Sequence, residues 1–318
     1  MKVMMFALWL ALVPRADTIR VLFWNVENYF DWRNDSTSVS DAEFSSRGER
    51  HWTRKRFYSK SNALAKTILW AGSQQGGLPD VIGLAEVENT FVLKCLLQST
   101  ALRKLDYRVV HYDSPDPRGI DVALLYREST LQLTDAKPCH LYAADSSVMA
   151  TRDILLARFR TAGGGDVAFL VNHHPSKYGG AAVSEPRRQV AVHRLKQLAD
   201  SLLDLGVAHI LAMGDMNDTP DNPLYRLLAP VLRNLAEPLH KAGQGTIKYG
   251  GCWQLIDMFF GTPNLHTGPM MILAVPFLRT REGAFSGDKP LRTYSGPRYL
   301  GGVSDHCPIW IQCAVPGT

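Results

Sequence analysis

The chain has 318 residues, 46% of them hydrophobic and 20% charged, and a formal net charge of +5. That balance excludes a disordered or low-complexity chain and supplies material for a sizeable core. The small basic excess suits an anionic ligand without requiring one.

In chain order, Met1-Lys2 precedes an apolar run over residues 3–13 and then Pro14-Arg15-Ala16. This predicts a secretory leader over 1–16, a domain over 17–318, and export to the periplasm or beyond. The run is too short to span a bilayer, which takes ~20 apolar residues, so no transmembrane span is expected. Residues 19–25 read as a first strand and the polar stretch 31–50 as a surface loop. Leu64, Ile68 and Leu69 share one helical face after His51. Gly76-Gly77-Leu78-Pro79-Asp80 turns into a strand from Val81, and Asn89 is placed to cap a helix through Arg103. Residues 107–111, 122–126 and 131–133 read as strands joined by turns. Gly163-Gly164-Gly165 centres a hairpin of 154–159 and 167–171. Residues 184–205 form the clearest amphipathic helix, with Val192, Leu195, Leu198, Leu202 and Leu203 apolar, and 207–213 returns as a strand. Residues 263–302, rich in Gly, Pro and Arg, read as a long functional loop. Hairpins interrupt the strand–helix alternation. That argues for one α/β domain of two mixed β-sheets packed face to face, flanked by helices. The five cysteines form no CxxC pair and are odd in number, against a zinc ribbon or a disulfide framework.

Polar residues recur at the ends of the apolar runs. They are Trp24-Asn25-Val26-Glu27-Asn28, Ala85-Glu86-Val87-Glu88, Asn172-His173-His174-Pro175, Gly214-Asp215-Met216-Asn217-Asp218, Ile256-Asp257-Met258 and Ser304-Asp305-His306. Burying a lone carboxylate costs several kcal/mol unless it is paired or bound to metal. A series of acids at strand ends therefore points to convergence on a shared partner, and a divalent cation is the simplest one. Side-chain alternation along a strand lets only one of His173 and His174 reach such a site, and Pro175-Ser176 favours His173. Glu88 reads as structural and Asp218 as a turn cap. The run Arg54-Lys55-Arg56 reads either as a solvated helix face or as a contact to a phosphate backbone.

Taken together and in this order, the six segments resemble the endonuclease/exonuclease/phosphatase superfamily, from about Ile19 to Ile311. The stretch from Val171 to Lys177 with Gly179-Gly180 is similar to an exported bacterial subgroup. The resemblance implies a four-layer α/β sandwich that hydrolyses phosphoester bonds with Mg²⁺, or Mn²⁺. It implies Glu86, Asn25 and Asp305 at the metal, and Asp215 and Asn217 orienting the attacking water and the phosphate. It also implies His306 held by Asp257, and His173 on a phosphate oxygen. Arg152, Asn172 and His174 are its substrate-binding candidates. Metal and imidazolium would then offset charge building on the phosphorus, with Asp215 as base.

The implied substrate is a phosphoester, with nucleic acid first and no protein partner. Phosphatase or sphingomyelinase-like phospholipase C action on small-molecule or lipid phosphoesters is the alternative, and a non-catalytic binding protein ranks last. The segment Gly251-Cys252-Trp253-Gln254-Leu255-Ile256-Asp257-Met258 has no Arg after its Asp, unlike the inositol-polyphosphate 5-phosphatase branch.

Overall fold

The computed structural model describes residues 16–34, 38–177 and 180–317. Of the expected leader over 1–16, only Ala16 lies within the described residues, as the first residue of a strand. No helix among the described residues is long and apolar enough to cross a membrane.

Two mixed sheets form the body. In the first, the strand Ala16–Tyr29 pairs antiparallel with the last strand, Ile309–Pro316, and parallel with Val81–Val87. Asp121–Arg127 and Tyr107–His111 continue that sheet on one side, and His266–Thr267 and Met271–Ile272 flank the last strand on the other. The second sheet runs in the order Leu131–Cys139, Ile154–Thr161, Asp166–His173, His209–Asp215, Asp257–Gly261, Arg233–Asn234. The four-layer expectation holds because the strands alternate at period two. Val21, Phe23, Val81 and Leu124 pack into the core shared with the second sheet. Their neighbours Leu22, Trp24, Ile82 and Leu125 face the other way, into a core with the helices Arg54–Gln74 and Thr90–Gln98. The helix Ala181–Asp204 buries Val192, Leu195 and Leu202 with the second sheet. Gly83 lets the sheets close, since a Cβ there would sit 2.7 Å from the Met213 sulfur.

Two expectations change. Residues 31–50 are not a plain surface loop: Ser38 caps the short helix Val39–Glu43, and Phe44 is buried in a stack on Phe30 at 4.9 Å. The strands Asp121–Arg127 and Leu131–Cys139 are joined by a turn, as expected, and that turn at Arg127–Thr130 carries the chain from one sheet to the other. The long loop 263–302 is partly ordered into short ribbons, Arg279–Arg281 with Asp288–Pro290 and Tyr294–Ser295 with Arg298–Tyr299.

Register places the polar strand ends together. His173 pairs with Asp215 on the parallel neighbour, and Asp215 pairs with Asp257 on the antiparallel one. Across the interface, Asn25 pairs with Ala85, next to Glu86, on the first sheet.

Candidate active site

Asp215 is the centre of the cleft and is almost fully buried. Its Oδ2 accepts from Asn25 Nδ2 at 3.0 Å and lies 3.7 Å from His173 Nε2 and 3.8 Å from His306 Nε2. Its Oδ1 accepts from the Asn217 N–H at 2.9 Å. Burial is the main force on this carboxyl and pushes it up to about 7, with Asp257 adding to the rise.

His306 is fixed from several sides. Its Nδ1 lies 2.8 Å from Asp257 Oδ2, its N–H donates to Ser304 Oγ at 2.9 Å, and its carbonyl accepts from Trp24 Nε1 at 2.9 Å. Burial alone would pull the imidazole pKa down. Asp257, Asp215 and Asp305 outweigh it and hold the ring well above the usual His range, so it carries charge near neutral pH. His173 is driven the opposite way, well below its ordinary value, first by burial and then by Arg152 and Arg118. The cleft thus holds one charged and one neutral imidazole on either side of a carboxyl group.

Glu86 stands at the rim. Its Oε2 accepts from the Asn28 N–H at 2.8 Å and its Oε1 from Asn25 Nδ2 at 3.4 Å. Asn25 therefore bridges Glu86 and Asp215, and its own Oδ1 accepts from the Glu27 N–H at 2.9 Å. Asp305, about one-third exposed, meets Arg292 Nη2 at 3.1 Å and His306 Nε2 at 3.9 Å. Glu27, Asn28, Glu86 and Asn217 all have left-handed backbone, with φ of 50°, 50°, 62° and 52°. A non-glycine residue held there costs ~1–3 kcal/mol, and such strain concentrates at functional sites.

Not every candidate reaches the cleft. Asn172 is fully buried on the opposite face of its strand from His173. Its amide donates to the carbonyls of Leu170 and Met213, so it packs the sheet and does not line the site. The His174 ring is also buried away, with neither nitrogen partnered among the described residues, and burial drops it to about 3. Its carbonyl is the useful part, accepting from Arg152 Nη2 at 2.7 Å and Asn217 Nδ2 at 2.9 Å. Arg152 is buried and ion-paired with Asp116 at 2.7 Å, which makes it a brace behind His174. Glu88 accepts from the Asp31 N–H, and Asp218 ties Thr219, Asn222 and Lys177 together, both in structural roles.

The model of the Endonuclease/Exonuclease/phosphatase family matches residues 20–315. The chain belongs to that family. No curated protein sequence matches it significantly. Among solved structures, the human Nocturnin catalytic domain with bound sulfate superposes at TM-score 0.62 and 17% identity, covering 94% of this chain and 97% of its own. A mannosyl-6-phosphatase of Bacteroides thetaiotaomicron gives 0.58 at 14%, covering 93% and 99%. D. rerio TDP2 complexed with single strand DNA product gives 0.57 at 13%, covering 93% and 98%. At these identities the likeness concerns the fold.

Members of the family hydrolyse phosphoester bonds, and the cleft suits a metal ion. Asp215, Asp257 and His306 bring ligand atoms within 4.8 Å of one another, and with the His306 ring charged the donors open to a cation are the carboxylates. The buried Oδ1 of Asp257 has no partner among the described residues, which leaves it a free lone pair. Glu86 and Asp305 add two more carboxylates at the rim. Hard oxygen donors of this kind match a divalent cation. A second group, His111, Asp113 and Asp121, is also close. Its members are engaged elsewhere: His111 lies against Thr90 Oγ1, Asp121 accepts from Ser114, and Asp113 points to solvent. A cavity of about 480 Å³ around Tyr225, Arg226 and Arg233 takes in none of the cleft residues.

Sequence reasoning gave no role to Glu27, Lys60 or Asp116, and Arg292 was only one of several loop arginines. Glu27 accepts from Arg292 Nε and Nη2 at 3.1 and 3.0 Å and from the Thr293 N–H at 2.8 Å. Lys60 is buried, donating to the Glu27 carbonyl and, at 2.8 Å, to Thr293 Oγ1. Burial raises Glu27 to about 7 and lowers Lys60 to about 8. The one local signal was Glu27 itself, an acid two residues beyond Asn25.

Proposed function

We propose that this chain is a divalent-metal-dependent phosphodiesterase that attacks a P–O bond with water, with nucleic acid as its leading substrate and Mg²⁺, or Mn²⁺, as its cation. The observation that carries this reading is the convergence on Asp215 of two imidazoles, His173 at 3.7 Å and the Asp257-braced His306 at 3.8 Å. A bound cation, held by Glu86 and Asp305 with Asn25 steadying Glu86, would supply Lewis-acid stabilisation of the phosphate.

The chain's own groups supply the rest. Asp215, near neutral in pKa, is suited to take a proton from water at ordinary pH. Asn217, clamped by the His174 carbonyl and by Asp215, orients the water and the phosphate. His306 places positive charge where an oxyanion develops, and His173 offers a neutral donor or acceptor to a phosphate oxygen. The exported state is part of the same proposal and rests on the composition of residues 1–16. Mass spectrometry of the mature N-terminus tests it, and an intact Met1 would refute it.

Purified protein with Mg²⁺ should be given plasmid DNA, sphingomyelin and a nitrophenyl phosphodiester in parallel. Nicking of DNA together with diester hydrolysis is the expected result. Lipid hydrolysis with intact plasmid would replace nucleic acid by a phospholipid substrate.

A further inference from the structure

A row of guanidinium groups laid on aromatic rings borders the catalytic rim. Arg33 lies over Phe91 and Trp32, 4.5 and 5.0 Å from their centroids, and Arg54 lies over Trp32 and Tyr58, 5.6 Å from each. Arg50 lies over Tyr294 and Phe44 at 5.4 and 5.7 Å, and Arg56 over Tyr299 at 4.2 Å. Arg33 and Arg54 are exposed, as are Arg47 and Lys55 beside them. Residues 44–58 carry Arg47, Arg50, Arg54, Lys55 and Arg56 against Glu49 alone, a net +4 in a chain whose total is +5. Glu43 pairs with Arg50 at 2.6 Å, so the exposed positive charge of this face rests on Arg33, Arg47, Arg54 and Lys55. A ring under a guanidinium fixes its plane, and a fixed planar fork matches phosphate oxygens at a smaller entropic cost than a free side chain.

The face joins the cleft at both ends. Asp31, just before Trp32 and Arg33, donates its N–H to Glu88 at 2.7 Å, two residues beyond Glu86. At the other end, a cavity of about 100 Å³ is lined by Arg50 and Tyr294 from the arginine face and by Glu27, Asn28 and Arg292 from the site. Arg292 reaches on to Asp305 at 3.1 Å.

We propose that this arginine–aromatic face seats a nucleic-acid strand, holding the sugar–phosphate backbone that leads away from the phosphate in the cleft. The inference rests on the phosphodiesterase reading and gives it a polymeric substrate. A repeating row of phosphates is what an extended row of fixed cations complements. A lipid surface fits less well. None of the exposed large hydrophobic side chains among the described residues belongs to residues 30–58 or 291–299, so this face offers nothing to enter an acyl layer.

The test is fluorescence anisotropy of a fluorescein-labelled single-stranded oligonucleotide, with EDTA present so that no strand is cut. Wild type should bind with an affinity that falls as salt rises. The exposed double variant Arg33→Ala/Arg54→Ala, checked for folding by circular dichroism, should bind about ten-fold more weakly. Its log–log salt slope should be shallower by roughly 0.7 for each phosphate that is no longer neutralised. Arg54→Lys keeps charge but loses the flat stacked group and should fall between. Arg103→Ala/Lys104→Ala removes two exposed cations elsewhere and should match wild type. Unchanged affinity and slope in the Arg33/Arg54 variant overturns the proposal. So does wild type that binds phosphatidylserine vesicles but no oligonucleotide. Wild type that hydrolyses a nitrophenyl diester yet binds no oligonucleotide overturns the strand seat and leaves the phosphodiesterase reading intact. Salt-dependent binding by a protein that hydrolyses no phosphoester supports the seat and overturns that reading instead.

Discussion

His306 Nδ1 lies 2.8 Å from Asp257 Oδ2, while its Nε2 faces Asp215 Oδ2 at 3.8 Å. One carboxylate fixes the ring and its charge, and the other shares the cleft with the ring's free nitrogen. The two acids sit side by side because strand register pairs Asp257 with Asp215.

Replacing Asp257 by Asn keeps the shape and removes the charge that outweighs burial at His306. The imidazole should then lose its proton at lower pH. If the charged ring stabilises the transition state, the alkaline limb of the pH–rate profile should move to lower pH. Turnover at neutral pH should fall by roughly ten-fold or more. An unmoved alkaline limb, measured on a nitrophenyl diester, would remove His306 charge from the mechanism.

His174 gives a stability prediction of defined sign. Its folded pKa is about 3, against an ordinary value of 6.5, so between those limits the unfolded chain binds a proton that the folded protein does not. Stability should therefore drop as pH falls through that window, by about 1.4 kcal/mol per pH unit from this group. His174→Leu, of similar volume and with the backbone carbonyl retained, should gain on wild type by roughly 2 kcal/mol between pH 7 and pH 5. Urea unfolding at the two pH values measures it, and a pH-independent difference would show that the buried ring is not the source.

The residues that proved legible in the sequence are those that close apolar runs. Asn25, Glu86, Asp215, Asp257 and His306 each sit where a buried strand ends, and a polar group there has few bland explanations. The alternation of side chains also made one of His173 and His174 face the cleft, and the register gives His173. Asn172 was misplaced for the same reason, because it belongs to the buried face opposite its neighbour. Glu27, Lys60 and Arg292 were out of reach. The Glu27–Arg292 contact spans 265 positions, and nothing local marks which loop arginine will fold back onto the first strand. The change of sheet after Arg127 was hidden too, since a short turn reads alike whether it closes a hairpin or crosses between layers.

Gly214 has a geometric reason to lack a side chain. A Cβ there would stand 2.3 Å from the Asn172 carbonyl oxygen on the parallel neighbour strand. Gly214→Ala should destabilise the fold by roughly 1–3 kcal/mol through overpacking. It should also lower turnover, because the strands it forces apart carry His173 and Asp215. Chemical denaturation alongside a diester assay reads both effects, and a variant that matches wild type in both would show that the sheet absorbs the extra methyl without moving the site.

The claim that everything else rests on is that this cleft is a metal-dependent phosphoester hydrolase centre. Its most direct test is the rate of nitrophenyl phosphodiester hydrolysis by wild type, Asp215→Ala and His306→Ala, each with Mg²⁺ and with EDTA. We expect Mg²⁺-dependent release by wild type, abolished by EDTA, and a loss of at least ~100-fold in each variant with folding unchanged. Hydrolysis that ignores EDTA, or variants that turn over at the wild-type rate, would contradict it.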